Sequence, residues 1–165
     1  MMKLLILMIS AVLLVAGCSS QQTAVSVPYN VAVEIDIADD VNQYGDGEPH
    51  SIVLRLYQLT EVGGFQNAQF LDLYNNDRQL LGSSLVDVLH LEPMVPGKQQ
   101  QIDIDLQRQS RYLAVMAEFA DYSNANSKAV IKLVEQQEDQ PVSIRVTGLT
   151  VSIAQQPGKS WWQIF

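Results

Sequence analysis

The chain has little of the residue chemistry that supports disulfides, metal sites or nucleic-acid recognition. It contains one cysteine and two histidines, and ten lysine and arginine residues stand against 18 aspartate and glutamate residues. A single cysteine cannot form an internal disulfide, so packing must hold the domain together. The formal net charge of −8 argues against a nucleic-acid partner and against unaided adsorption to anionic lipid, because both depend on basic side chains at phosphates.

Apolar runs of membrane-spanning length are also missing. Residues 4–15 form an apolar stretch of about a dozen residues after Lys3, whereas a spanning helix needs roughly 20 and a secretory signal needs about 7 to 15. The stretch leads into Val15-Ala16-Gly17-Cys18, which reads as a lipobox. The sequence therefore predicts a signal peptide over residues 1–17 and a lipidated Cys18, held by two or more acyl chains. The alternatives are an ordinary cleaved signal with a chance cysteine, or a buried thiol.

The residue after the cysteine and the segment that follows bear on where the domain sits. Ser19 stands where an aspartate would favour retention in the inner membrane, so the outer membrane, facing the periplasm, is favoured. Residues 18–27 are predicted to be the lipidated cysteine and a flexible polar tether. Residues 28–165 are predicted to be one domain. Removal of residues 1–17 leaves nine basic against 18 acidic residues, a net charge of −9.

Period-2 alternation predicts an all-β fold of the antiparallel sandwich type. Strands are expected over residues 31–38, 51–60, 101–107, 111–119 and 129–135, and in the last part of the chain. The strand over 51–60 is apolar on both faces, so it is placed centrally. The apolar phase flips at Gly148, which predicts a tight turn or a bulge. Residues 39–50 form a long loop with turn chemistry, and a loop of that length is often functional.

Between the second and third of these strands the spacing becomes helical. Asn67 is predicted to cap a helix that Gly82 ends, and residues 84–89 are predicted as a further short helical turn. Together these features form a helical insert at about residues 65–90.

No catalytic, cofactor or metal site is predicted. His50 and His90 lie at no metal-ligand spacing. Asp103 and Asp105 share one, solvated, face of a strand, and the acidic residues of the 39–50 loop lack the spacing of a calcium loop. Residues 161–165, with both tryptophans, are expected either to fold back on the sandwich or to contact a partner or the membrane interface.

Six segments, taken in order, resemble one family. They are Ser-Ile-Val-Leu-Arg-Leu-Tyr-Gln-Leu (51–59), Phe-Gln-Asn-Ala-Gln-Phe-Leu-Asp-Leu-Tyr (65–74), Leu-Gly (81–82), Leu-Glu-Pro (91–93), Pro-Gly (96–97) and Tyr-Leu-Ala-Val-Met-Ala-Glu-Phe (112–119). In this order they resemble the outer-membrane lipoprotein of the type VI secretion system, the TssJ/SciN family. The chain departs from that pattern at Ala120-Asp121, where Arg-Asp is usual, and at Ser127-Lys128, where Trp-Arg is common. The tryptophan-rich tail is not a family feature.

The resemblance implies a transthyretin-like β-sandwich with a helical insert, anchored in the outer membrane. It implies binding to the periplasmic C-terminal domain of the large inner-membrane component, which is TssM-like, and assembly with other membrane-complex subunits. In the family the loop between the first two strands makes the contact, which here maps onto Asn42, Gln43, Tyr44, Gly45, Asp46, Gly47, Glu48 and Pro49. Tyr44 is the best anchor candidate, and its alternative is packing back on the sandwich. A ligand- or carbohydrate-binding module is the alternative function.

Overall fold

The computed structural model describes residues 28–134 and 141–155. Cys18 and the Trp161-Trp162 pair, on which two of the expectations rest, lie outside these residues. Within them, none of the helices has the length and hydropathy needed to cross a bilayer. The strands and helices follow the chain in this order: β1 Tyr29–Ile37, β2 Leu54–Leu59, α1 Gly63–Asn67, α2 Phe70–Leu81, a 3-10 turn Gly82–Ser84, β3 Leu85–His90, β4 Gln99–Leu106, β5 Tyr112–Ala117, β6 Lys128–Lys132, β7 Val142–Thr147 and β8 Thr150–Gln155.

Two four-stranded sheets form the sandwich that the alternation predicts. The first sheet has the order β4-β1-β7-β8 and the second has the order β3-β2-β5-β6. Every pairing is antiparallel except β1 with β7, which is parallel. The strand β2 lies between β3 and β5, so the prediction that it is central is confirmed. All six of its residues are buried, which explains why its two faces are both apolar.

Two apolar cores sit on the two faces of the second sheet. The inner core lies between the sheets and includes Val33, Ile35, Leu54, Leu56 and Val115. The outer core lies between the second sheet and the helices. The helical insert therefore covers a sheet face that would otherwise expose apolar side chains to water.

The helical insert differs in two places from its prediction. Asn67 ends α1 instead of capping a helix, and α2 begins after Gln69, which makes no side-chain cap. Residues 85–89 of the predicted helical turn belong to β3, which pairs antiparallel with β2, so that prediction was wrong. Only Gly82–Ser84 form a 3-10 turn, and the helical part of the insert spans residues 63–84. Pairing with a distant strand decided the conformation of residues 85–90, and local spacing does not report it.

The phase flip near the C-terminal end is a tight turn. Thr147 and Thr150 are paired directly, which leaves Gly148 and Leu149 as a two-residue hairpin loop. Gly148 has a φ of 53°, a backbone conformation that such hairpin turns require and that glycine adopts without strain. The prediction of a turn at Gly148 is confirmed.

Candidate functional site: the loop between the first two strands

The loop between β1 and β2 is held at its base by a buried asparagine. The Asn42 side chain is only 5% exposed. Its Nδ2 donates to the carbonyl oxygen of Ser51 at 2.8 Å, and its Oδ1 accepts from the backbone N–H of Ala120 at 2.8 Å. The backbone N–H of Asn42 donates to the carbonyl oxygen of Gly148 at 2.9 Å. One residue thus ties the loop to its own far end, to the segment after β5 and to the β7–β8 turn.

The tip of the loop, residues 43–48, is exposed, with Pro49 half-buried after it. Tyr44 is 57% exposed, so it does not pack back on the sandwich. Gly45 and Gly47 have φ values of 70° and 78°, which fold the tip back on itself in a conformation that side chains disfavour. A large aromatic side chain therefore stands on a tightly turned loop.

An aspartate orders this tip from inside. The Asp46 carboxylate accepts the backbone N–H of Glu48 at 3.0 Å and lies 3.0 Å from Nε2 of His50. These contacts hold the pKa of Asp46 below its usual range, with the Glu48 hydrogen bond as the larger cause. The interaction is a turn contact at the surface, because both Asp46 and His50 are exposed.

The loop lies at the end of the sandwich opposite to where the chain enters it. The strand β1 begins at Tyr29 beside Leu106 and ends at Ile37, one residue before the loop. Nine residues of strand rise about 30 Å. The loop shares its end of the molecule with the Gly148 turn and the segment after β5, through the Asn42 contacts.

The eight loop residues predicted from the resemblance thus divide into two kinds. Asn42 faces inward and positions the loop, whereas the other seven face solvent: Gln43, Tyr44, Gly45, Asp46, Gly47 and Glu48 fully, and Pro49 in part. The backbone groups of Ala120 and Gly148, which hold the loop in place, could not be found from the sequence. They lie 78 and 106 residues away from Asn42, and hydrogen bonding by main-chain atoms leaves no side-chain pattern.

An aromatic cluster lies next to the base of the loop, and the sequence did not indicate it. The Phe70 ring stacks on the ring of Tyr122 at 4.9 Å and on that of Tyr74 at 5.8 Å. Leu71, Tyr74 and Tyr122 are 41% to 45% exposed. Together with Ala120 and its neighbours these side chains line a cavity of about 270 Å³.

Beneath α2 a group of charged side chains fixes the helix to the second sheet. The Arg55 guanidinium donates to a Glu118 carboxylate oxygen and to the Tyr74 carbonyl oxygen, and it lies 4.8 Å from the Tyr74 ring centre. The Tyr57 hydroxyl donates to Asp77 at 3.2 Å. Burial is the main cause that raises the pKa of Tyr57, and the nearby Asp77 charge adds to it. These groups pair with one another, as buried charges must, and their role is structural.

A lysine holds the first helix in the same way. The Lys128 ammonium donates to the carbonyl oxygens of Phe65, Gln66 and Ala68 at 3.0, 2.9 and 2.6 Å. These are carbonyl groups at the end of α1, which lack partners within the helix. Burial lowers the pKa of Lys128.

The histidines and acidic pairs occupy ordinary surface positions. His50 contacts Asp46, and His90 lies 4.0 Å from Asp77. Asp103 and Asp105 are exposed on β4. Across residues 28–134 and 141–155 no three His, Cys, Asp or Glu side chains gather closely enough to hold a metal ion.

Comparison with known proteins gives this fold a context. A structure of the type VI secretion lipoprotein TssJ1 from Pseudomonas aeruginosa matches with a TM-score of 0.72 and 25% identity, over 79% of this chain and 98% of that one. A chain of a structure described as a type VI membrane complex matches with a TM-score of 0.68 and 24% identity, over 77% and 98%. A structure described as the C-terminal domain (869–1107) of the type VI protein TssM from EAEC matches with a TM-score of 0.60 and 22% identity, over 76% and 97%. The last two likenesses show the shared fold alone.

The family assignment comes from the sequence. No curated protein matches the chain significantly. The family model described as "Type VI secretion lipoprotein, VasD, EvfM, TssJ, VC_A0113" matches residues 29–149, which include β1 to β7 and end just before β8. The chain therefore belongs to the type VI secretion lipoprotein family.

Proposed function

We propose that this protein is a non-catalytic outer-membrane lipoprotein that anchors the envelope-spanning complex of a type VI secretion system. It does so by binding the periplasmic domain of a TssM-like inner-membrane protein. Residues 1–17 are the signal peptide, Cys18 carries the lipid, residues 18–27 are the tether and residues 28–165 are the binding domain.

Family membership supports the lipid anchor and the secretion system. Structures described as a type VI membrane complex and as a TssM domain share the fold, which supports a membrane-complex partner. The placement of the loop supports the direction of binding, because the loop lies at the end of the sandwich away from Tyr29, where the tether joins. A partner that arrives from the inner membrane meets this end.

The exposed Tyr44 on its fixed loop is the observation that carries the proposed contact. An aromatic side chain on a rigid support supplies contact area at low entropic cost, and aromatic residues are enriched among those that dominate binding energies. Gln43, Gly45, Asp46, Gly47, Glu48 and Pro49 complete the surface, and Asn42 holds it in position.

The test is a binding titration of the lipoprotein, purified in detergent, against the periplasmic domain of the TssM-like protein encoded nearby. Tyr44→Ala should weaken binding by about 30-fold, the loss typical of an anchor residue. Tyr122→Ala, at a similarly exposed tyrosine outside the loop, is the matched control and should change it little. A loop shortened between residues 42 and 48 should abolish binding. Binding that survives both loop changes would move the contact elsewhere, with the tail at residues 161–165 tested next.

The anchor is tested separately in cells. Cys18→Ser should abolish secretion and leave a folded, unanchored domain. Secretion that continues would contradict the anchoring role. If the wild-type lipoprotein binds no TssM-like domain at all, the ligand-binding module becomes the better hypothesis.

A further inference from the structure

The two long sides of the sandwich are built differently. On one side β6 and β8 approach each other, and Asn126 joins them by accepting the backbone N–H of Val151 and donating to the carbonyl oxygen of Leu149. On the other side β3 and β4 are the outer strands of their sheets, and within the described ranges neither has a second neighbour. This side, between β3 and β4, is open.

Among residues 28–134 and 141–155, no strand pairs with the outer edge of β4, which presents a run of main-chain groups. The N–H of Ile37 donates to the carbonyl oxygen of Lys98 at 2.9 Å, which fixes the alternation of the antiparallel ladder. By that alternation, residues 98, 100, 102 and 104 point their main-chain groups toward β1, whereas Gln99, Gln101 and Asp103 point theirs away from it. The N–H of Ala38 donates to Val146 on the opposite side of β1, as the same alternation requires.

The neighbouring edge groups are already occupied by side chains. On β3, the N–H of Val88 donates to the Asp87 carboxylate at 2.8 Å. At the far end of β4, Gln58 donates to the carbonyl oxygen of Asp105 and accepts the N–H of Gln107. Both of these contacts lie near the Asp105 end of β4, and the stretch over residues 99–103 is exposed apart from Ile102.

A groove runs beside this open edge. A cavity of about 470 Å³ lies between β4 and the segment after β3. Its lining is half apolar, from Leu91, Pro93, Met94 and Val95, and half polar, from His90, Glu92, Lys98 and Gln100. Val95 is 56% exposed. A second cavity of about 220 Å³ continues along the strand, over Leu56 and Leu113, and it is bordered by Asp87, Asp103 and Asp105 with no lysine or arginine in its lining.

We propose that the β4 edge binds an extended segment of a partner protein by strand addition, and that this segment alternates apolar and basic residues. Side chains that flank Gln100 and Ile102 would enter this groove and contact its apolar residues Leu91, Pro93, Met94 and Val95, because Gln100 and Ile102 lie on the inner face of β4. Side chains opposite Gln101 and Asp103 would lie on the solvent face beside the carboxylates of Asp103 and Asp105. The acidic border disfavours a second copy of this chain, whose own β4 carries the same charges.

The test uses the full-length lipoprotein in detergent and a capped peptide of seven residues in which lysine and valine alternate. Hydrogen–deuterium exchange should slow at the amides of Gln99, Gln101 and Asp103 when the peptide binds. A peptide of the same sequence with N-methylated backbone amides keeps the charges and loses the main-chain donors, so its affinity should fall at least about tenfold.

Variants of the protein test the same edge. Gln101→Pro removes an N–H that points away from β1, which an edge strand tolerates, and should weaken binding by about tenfold. Gln101→Val keeps that N–H and is the matched control. Asp103→Lys should also weaken binding, and added salt should reduce the difference from wild type.

Three outcomes would overturn the proposal. The first is equal binding of the N-methylated and unmodified peptides, which would mean that the peptide is held by charge alone. This comparison tests the proposal even if Gln101→Pro damages folding. The second is exchange protection elsewhere than on β4. The third is any sign that this chain itself occupies the edge. Such a sign would be tighter peptide binding after deletion of residues 156–165, or a self-association of the protein that Gln101→Pro abolishes.

Discussion

Asn42 is the residue on which the geometry of the loop depends. It is buried, its φ of 54° is positive, and both polar atoms of its side chain bond to main-chain groups of other segments. Asparagine adopts this conformation more readily than other non-glycine residues. The resemblance marked Asn42 as part of a contact surface, and the structure shows its side chain directed inward, as the support of that surface.

Replacement of Asn42 should therefore destabilise the protein by two separable causes. We expect Asn42→Ala to lower the free energy of unfolding by about 2 kcal/mol, from two lost hydrogen bonds and the strain of a left-handed alanine. Asn42→Gly loses the same two hydrogen bonds without the strain and should cost about 1 kcal/mol. Urea unfolding measures both, with Gln43→Ala as the exposed control. A glycine variant as stable as wild type would show that the hydrogen bonds contribute nothing.

Because of Tyr57, the free energy of unfolding should depend on pH in the alkaline range. Its pKa is raised in the folded protein above the value of 10.0 that it has when unfolded. Below pH 10 the folded and the unfolded protein both keep the phenolic proton. Above pH 10 the unfolded chain loses that proton first. The free energy of unfolding should therefore fall by up to about 1.4 kcal/mol per pH unit.

This dependence is measured by urea unfolding between pH 8 and pH 11. The stability difference between wild type and Tyr57→Phe should be constant up to pH 10 and shrink above it. Tyr44→Phe, at an exposed position, should leave the pH profile as in wild type. A difference that does not change with pH would contradict the buried, protonated phenol.

At the scale of elements, the short helix α1 depends on a distant strand. Five residues are too few for a stable isolated helix, and the carbonyl groups at its end are satisfied by Lys128 of β6. Lys128 occupies the position where the resembling family commonly has arginine, and the substitution keeps a cation at the end of the helix.

We expect Lys128→Met to release α1 from the sheet. Met fills a similar volume but cannot donate, so the protein should lose about 2 kcal/mol, the value of hydrogen bonds from a charged group. Hydrogen–deuterium exchange should accelerate at residues 63–68 and stay unchanged in β1 and β7. Lys128→Arg keeps the charge and should retain most of the protection. Unchanged exchange in α1 with Met in place would show that packing of Phe65 alone holds the helix.

Strands whose own side chains alternate could be predicted from the sequence, whereas a strand formed mainly by pairing with a distant segment could not. The strands β1 and β4 alternate strictly, and both were predicted within two residues of their observed ends. The strand β3 was predicted as a helical turn. Of its six residues only Val88 is buried, so its pattern carries little information about a strand, and backbone pairing with β2 formed it.

At the scale of the whole molecule, the candidate loop and the entry point of the chain lie at opposite ends of the sandwich. The turn after β4 lies at the entry end, beside Tyr29, and the loop lies about 30 Å away along β1. The proposed lipid at Cys18 would hold the entry end nearer to the membrane on average than the loop end.

Spin-labelled lipid headgroups should detect this difference. Single cysteines placed at the exposed positions Gln109 and Gln43 can be labelled separately, because the proposed lipid on Cys18 would block that thiol. In vesicles, we expect the spin-labelled headgroups to speed the magnetic relaxation of the label at position 109 more than that of the label at position 43. Equal relaxation at both positions would contradict an oriented domain.

The sequence by itself determined the all-β class, the central place of β2, the turn at Gly148 and the family, because alternation, two-sided burial, a phase flip and motif order are all local properties. Only the tertiary structure decided that β1 and β7 run parallel, that Asn42 points inward and that no other described strand covers the β4 edge. The strand pairing depends on main-chain hydrogen bonds between segments far apart in the chain, and the Asn42 side chain bonds to main-chain groups of other segments. Main-chain groups are shared by every residue, so the order of side chains does not record which of them will meet.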